Sequence, residues 1–246
     1  MTSKELNISD NFIIFLLATF PVAIIIGNFF INFYLLCLFL FFTFRLFKTK
    51  DLSWLKNTHF RILLFFYTYI CLNSFINYFV NPSFGFDGII RSLFFFKFLI
   101  LFPAIPVLIH KTEILDKIFK YWLVIICVII IDIFFEKYNG SNLLGYKSLD
   151  HTRITSFFYD ENVVGTFLFS FGFITVSFFL KKDLNNNSKI ILNLLLFLVL
   201  LSILLTGERS AFLKSAILFL FIFYFIDKEK IYLKKFNFLI LVFLLA

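Results

Sequence analysis

Apolar runs separated by short polar breaks fill the chain, at about 12–27, 29–44, 62–80, 89–109, 119–135, 162–180, 190–205, 211–226 and from 236 to the end. Stretches such as Phe12 to Leu17 and Ile190 to Leu205 are apolar on nearly every side, whereas a barrel strand would alternate apolar and polar residues over about ten positions. Backbone groups in lipid must be satisfied within a helix or a closed barrel, so the pattern predicts helices. The expected fold is all-α: a polytopic integral membrane helical bundle of about nine hydrophobic segments, the last incomplete, forming one transmembrane domain over 1–246 with an extracytoplasmic loop at 136–161. Residues 12–44 are expected to form two short spans turning at Gly27-Asn28, because 33 continuous helical residues would run about 50 Å against a hydrocarbon core of about 30 Å.

Composition removes the soluble alternative. Hydrophobic residues make up 61% and charged residues 15%, with a mean hydropathy of +0.96, far from the roughly 25% charged composition of soluble domains. The 43 phenylalanines accompany abundant Ile, Asn and Lys and read as biased composition rather than an aromatic binding surface. Cys37, Cys71 and Cys127 lie far apart inside apolar runs, with neither metal spacing nor a disulfide framework.

Charge orients the runs. With the N-terminus inside, the connections at 45–61, 110–120, 181–189 and 227–235 hold fifteen Lys or Arg, and those on the opposite side hold four. This is the positive-inside pattern, so the net charge of +8 implies membrane lipids as partners and no nucleic acid.

Candidate chemistry is confined to the opposite face. Asn81-Pro-Ser-Phe-Gly-Phe-Asp-Gly88 carries turn residues, and Arg91 and Lys97 follow it. Arg91 reads either as an interfacial residue that snorkels or as an anion ligand; Lys97 is deeper, where an ammonium is costly unless paired or solvated. Six residues put them about 120° off a common stripe, so they need not meet one ligand. Asp160, Glu161 and Asn162 precede a long apolar run, where they can cap its first amides; Arg153 lies upstream of them. Thr206-Gly-Glu-Arg-Ser210 separates two apolar runs of about sixteen residues. There Glu208 either neutralises Arg209 or joins it at a cavity rim. Ser210 can cap the next helix, and Lys214, one turn further in, is expected to add a second cation on nearly the same face.

Arginine forks suit phosphate oxygens and can stabilise charge on a departing phosphate, so a cavity gathering Arg153, Arg209 and Lys214, with Arg91 and Lys97 as further candidates, is expected to hold a diphosphate or similar anionic headgroup. No Asp-x-Asp or His-x-x-His occurs, and Asp160 and Glu161 are adjacent rather than paired across a site. No metal or cofactor is therefore expected. A transporter or flippase-like carrier of an anionic lipid or solute would use the same cations, though the chain carries no convincing internal repeat.

The segment Arg153-Ile-Thr-Ser-Phe-Phe-Tyr-Asp-Glu-Asn-Val-Val-Gly-Thr-Phe-Leu168 resembles the O-antigen polymerase and O-antigen ligase family, in which an Arg is followed by an acid or Asn and a Gly at the start of a membrane helix. Leu205-Thr-Gly-Glu-Arg-Ser-Ala-Phe212 resembles that family's second signature, an Arg beside a Ser opening the next span. The resemblance covers about residues 60–226. It implies a GT-C-like fold in a bacterial inner membrane and metal-independent glycosyltransferase chemistry on the periplasmic face, in lipopolysaccharide or related polysaccharide biosynthesis. The implied donor is an undecaprenyl-diphosphate-linked glycan and the implied acceptor a second glycan or lipid A-core. Arg153 and Arg209 would hold the diphosphate, with nearby polar residues placing donor and acceptor. Family members usually continue through a large periplasmic loop, which in ligases carries a functional His, so the resemblance also implies that this chain is the N-terminal part of a longer fold, with an inactive fragment of the enzyme as an alternative reading. His59 and His110 lie in predicted cytoplasmic loops, and His151 lies in the earlier outside loop.

Overall fold

A computed structural model describes residues 3–50, 52–80, 86–109, 112–148, 153–159, 161–182 and 185–225. The ninth apolar run, Asp160, His151 and the turn at 81–85 lie outside these residues. Every regular element among the described residues is helical. Five helical stretches are long and apolar enough to cross a membrane: Asn28–Thr49, Thr58–Val80, Asp87–Leu108, Thr112–Asn139 and Asn187–Leu205. Shorter apolar helices occupy Asp10–Ile26 and Val164–Leu180. The chain divides into two compact units, Met1–Lys117 and Ile118–Ala246.

In the first unit α1 (Ser3–Ile26) and α2 (Asn28–Thr49) are broken at Gly27. Its φ of +122° is one that L side chains rarely adopt. The two helices form an antiparallel hairpin, joined by the Thr19–Tyr34 hydroxyl hydrogen bond of 2.9 Å and by Phe12 stacked on Phe41 at 4.9 Å. A single long helix over 12–44 is thereby excluded. Helix α3 (Thr58–Val80) buries only Phe60, so its surface suits acyl chains better than water. It runs antiparallel to α4 (Asp87–Phe94) and α5 (Phe96–Leu108): the Tyr67 hydroxyl donates to the Leu93 carbonyl at 3.5 Å, and Tyr78 packs on Phe86 at 6.1 Å. Helices α2 and α5 run in the same direction. Lys97 Nζ donates to Asn32 Oδ1 near their starts, and Arg45 Nη1 donates to the Leu108 carbonyl near their ends.

The second unit contains most of α6 (Thr112–Asn139), followed by α7 (Val164–Phe167), a π-helical turn at Leu168–Gly172, α8 (Phe173–Leu180), α9 (Asn186–Leu205) and α10 (Arg209–Phe225). Elements α7 to α8 are one helix with a widened turn in its middle. The α6 and α9 helices outrun the apolar runs that announced them. Residues 112–118 and 136–139, expected in connections, are helical, and α9 has 20 residues rather than about sixteen. Hydropathy marks where lipid contact ends, whereas the helix continues while its own hydrogen bonds are made. Hydroxyls inside the apolar helices fold back on their own helix. Thr68 donates to Leu64, Ser92 to Ile89 and Ser215 to Ala211, which satisfies the hydroxyl without a partner helix.

Candidate functional site

Two buried acids at the end of α6 organise the loop that carries Arg153. Asp132 and Glu136 are four residues apart, hence on one helix face, and are 0% and 5% exposed. Asp132 accepts from the Leu143 amide at 2.7 Å and from the Ser156 hydroxyl at 2.5 Å. Glu136 accepts from the Ser156 amide at 2.7 Å and from the Thr155 amide at 3.3 Å. Asn142 closes the loop: its carbonyl oxygen accepts from the Leu144 and Tyr146 amides, and its amide donates to the Ser156 carbonyl at 2.7 Å. Ser156 thus has its N–H, O–H and C=O all engaged, which holds its left-handed φ of +48° against the steric cost of that conformation. Arg153, exposed, leaves the chain two residues before this anchored Thr155–Ser156 pair.

From Ser156 the chain turns directly into α7. Phe158, 3% exposed, packs edge-on against Phe167 of α7 at 5.2 Å. The Glu161 amide donates to the Phe158 carbonyl, and the Val163 amide donates to the Glu161 carbonyl. Of Asp160, Glu161 and Asn162, expected to cap this helix, Asp160 lies outside the described residues and the other two do not cap it. Val163 occupies the cap position and supplies no side-chain cap, and Glu161 is exposed.

The cap arrives through space from Glu208. Its Oε1 accepts from the Gly165 amide at 2.6 Å, and its Oε2 accepts from the Thr166 amide at 3.0 Å and the Thr166 hydroxyl at 2.9 Å. A carboxylate is favoured there because it meets free amides at the positive end of the helix dipole. Glu208 therefore neither stands open at a cavity rim nor spends itself on Arg209 alone. Such an approach requires Gly165: a Cβ there would lie 2.9 Å from Thr206 Oγ1 and 3.0 Å from Glu208 Cδ. Seven residues on, a Cβ at Gly172 would lie 3.0 Å from Val199 Cγ1. Small residues thus bring this helix close to α9 as well.

Arg209 opens α10, exposed, directly after the Glu208 clamp. Ser210, expected to cap α10, is its second residue. Lys214 is exposed, and five helical residues turn it about 140° from Arg209, so these cations do not share a helix face. Arg91 and Lys97 belong to the first unit, where both line one cavity. Phe95, between α4 and α5, keeps helical dihedrals of φ −62° and ψ −17°, and Asp87–Leu108 runs as one helical stretch.

The acids Asp132 and Glu136 were missed because the first was absorbed into an apolar run and the second was read as the start of a loop. A carboxylate inside a membrane run is itself a pointer to a built polar site, and the i, i+4 spacing strengthened it. What the second unit assembles is two exposed arginines on anchored backbone: Arg153 beside the α6 acids and Arg209 beside the Glu208 clamp. Both segments are tied to one helix mouth through Phe167, Gly165 and Thr166. No protein-family model, curated protein or solved structure matches this chain.

Proposed function

We propose that the chain transfers a glycan from an undecaprenyl-diphosphate-linked donor to a glycan or lipid A-core acceptor, polymerising or ligating O-antigen or a related surface polysaccharide. The observation that carries the reading is the Glu208 clamp, by which the segment bearing Arg209 caps the helix opened by the segment bearing Arg153. Two stretches 42 or 43 residues apart behave as one structural element, as joint signatures of one site should.

In this mechanism the acceptor hydroxyl attacks the anomeric carbon, the bond from that carbon to the diphosphate oxygen breaks, and the hydroxyl proton passes to a base. Negative charge grows on the leaving diphosphate, and preorganised guanidinium donors stabilise it more in the transition state than in the ground state. Arg153 and Arg209 supply those donors. Glu208 does not serve as the base, since both its oxygens accept from α7; it is a positioning residue that fixes the backbone from which Arg209 projects.

The test is transfer from a lipid-diphosphate oligosaccharide in proteoliposomes holding the full chain. Lengthened or acceptor-linked glycan, lost in Arg209→Ala, supports the reading. Transbilayer movement of the donor without any new glycosidic bond replaces it with a carrier.

A further inference from the structure

The first unit holds a cavity of about 910 Å³ between α2 and the α4–α5 segment, within the roughly 300–1,000 Å³ typical of small-ligand sites. It is polar at one end only. Because α2 and α5 run in the same direction, Asn32 and Lys97 fall together near their starts, where they are hydrogen-bonded at 3.1 Å, and Arg91 lies on the α4 side of the same space. Beyond them the walls are Leu35 and Leu38 of α2 and Leu101 and Ala104 of α5. From Lys97 to Ala104 this apolar stretch runs about 10 Å along the helix axis.

Among the described residues, no carboxylate lines the cavity, and the hydrogen bond of Lys97 goes to Asn32. Lys97 is half-buried; its hydrogen-bond acceptor is a neutral amide, and the Phe98 ring, 5.3 Å away, supplies only a weak cation–π contact. An ammonium so placed in apolar surroundings favours an anion, and Arg91 adds a second cation. A soluble anion would leave the long apolar walls unused, and a zwitterionic lipid would bring its own positive charge to two cations. The walls also reach the outer surface through Leu36, Phe39 and Phe96, all exposed, so a bilayer lipid can enter sideways without crossing water.

We propose that this cavity binds an anionic phospholipid, its phosphate on Lys97 and Arg91 and one acyl chain along Leu35, Leu38, Leu101 and Ala104. The site uses neither Arg153 nor Arg209, to which the proposed function gives the donor diphosphate, and does not depend on that assignment.

Native mass spectrometry of the full chain tests it, with phosphatidylglycerol, phosphatidylcholine of the same acyl chains and a polyprenyl diphosphate as probes. Phosphatidylglycerol should be retained in preference. Retention should weaken roughly tenfold or more in Lys97→Gln, given the usual strength of a charge-assisted contact, and should survive in Lys97→Arg. Leu101→Trp, which obstructs the apolar stretch but keeps both cations, should also lose the lipid, whereas Arg209→Ala should retain it. Helical circular dichroism and a single elution peak accompany each variant, so that Leu101→Trp decides if Lys97→Gln misfolds. Equal retention of phosphatidylcholine, or indifference to both cavity variants, overturns the proposal. Displacement of phosphatidylglycerol by the polyprenyl diphosphate overturns it too, giving the cavity to the glycan donor.

Discussion

Replacing Glu208 by Ala removes the acceptor for two backbone amides and one hydroxyl at the mouth of α7, at 2.6, 3.0 and 2.9 Å. A hydrogen bond to a charged group contributes about 1.5–3 kcal/mol, and losing a helix cap costs about 0.5–2 kcal/mol. The three bonds share one carboxylate and do not add, so the expected local loss is about 2–4 kcal/mol. Amide hydrogen exchange in lipid nanodiscs reads this loss where it occurs. At about 1.4 kcal/mol per decade, exchange in the peptide covering Gly165 and Thr166 should accelerate roughly 30- to 1,000-fold, with peptides from α2 unchanged. Glu208→Gln should fall between, because its carbonyl oxygen still accepts one bond while its amide group faces another donor. Glu161→Gln is the matched control and should have no effect at α7, since Glu161 is exposed and caps nothing there. Acceleration by Glu161→Gln with none from Glu208→Ala would refute the account of how the two segments are joined.

Gly165→Ala forces a Cβ to within 2.9 Å of Thr206 Oγ1 and should cost about 1–3 kcal/mol, seen as a fall in Tm of roughly 3–10 °C in detergent. Asp132→Ala leaves the Leu143 amide and the Ser156 hydroxyl without their acceptor, so trypsin should cleave after Lys147 or Arg153 several-fold faster than in the parent chain. Arg209→Ala, at an exposed position, should leave Tm within about 2 °C, consistent with the small effects of surface substitutions, while transfer is lost.

Hydropathy located the helices well because lipid imposes one demand on every spanning segment, internal satisfaction of the backbone. The break at Gly27 was legible for the same reason: one helix across 12–44 is too long for the bilayer, and glycine accepts the φ that the turn needs. The ends of α6 and α9 were not legible, since a helix can outlast its apolar run. Within the site, the importance of the 153–168 and 205–212 segments could be read from charge beside apolar sequence, but the roles of Glu161 and Glu208 could not. A carboxylate just before a helix is a natural cap by sequence distance, yet the one that caps α7 comes from the far segment, brought there by the packing that Gly165 permits. Arg91 and Lys97 border one cavity, a juxtaposition that their six-residue spacing did not require. Of the two acids that hold the loop, Asp132 was hidden by the apolar pattern around it and Glu136 by its reading as the start of a connection.

The central claim is that Arg153 and Arg209 act on one diphosphate, and a double-mutant cycle on kcat/KM for transfer in proteoliposomes tests it most directly. Arg153→Ala, Arg209→Ala and the double variant should give a coupling of about 0.5–3 kcal/mol, as for residues that share a partner. Losses that add to within about 0.3–0.5 kcal/mol would mark two independent sites and contradict the account.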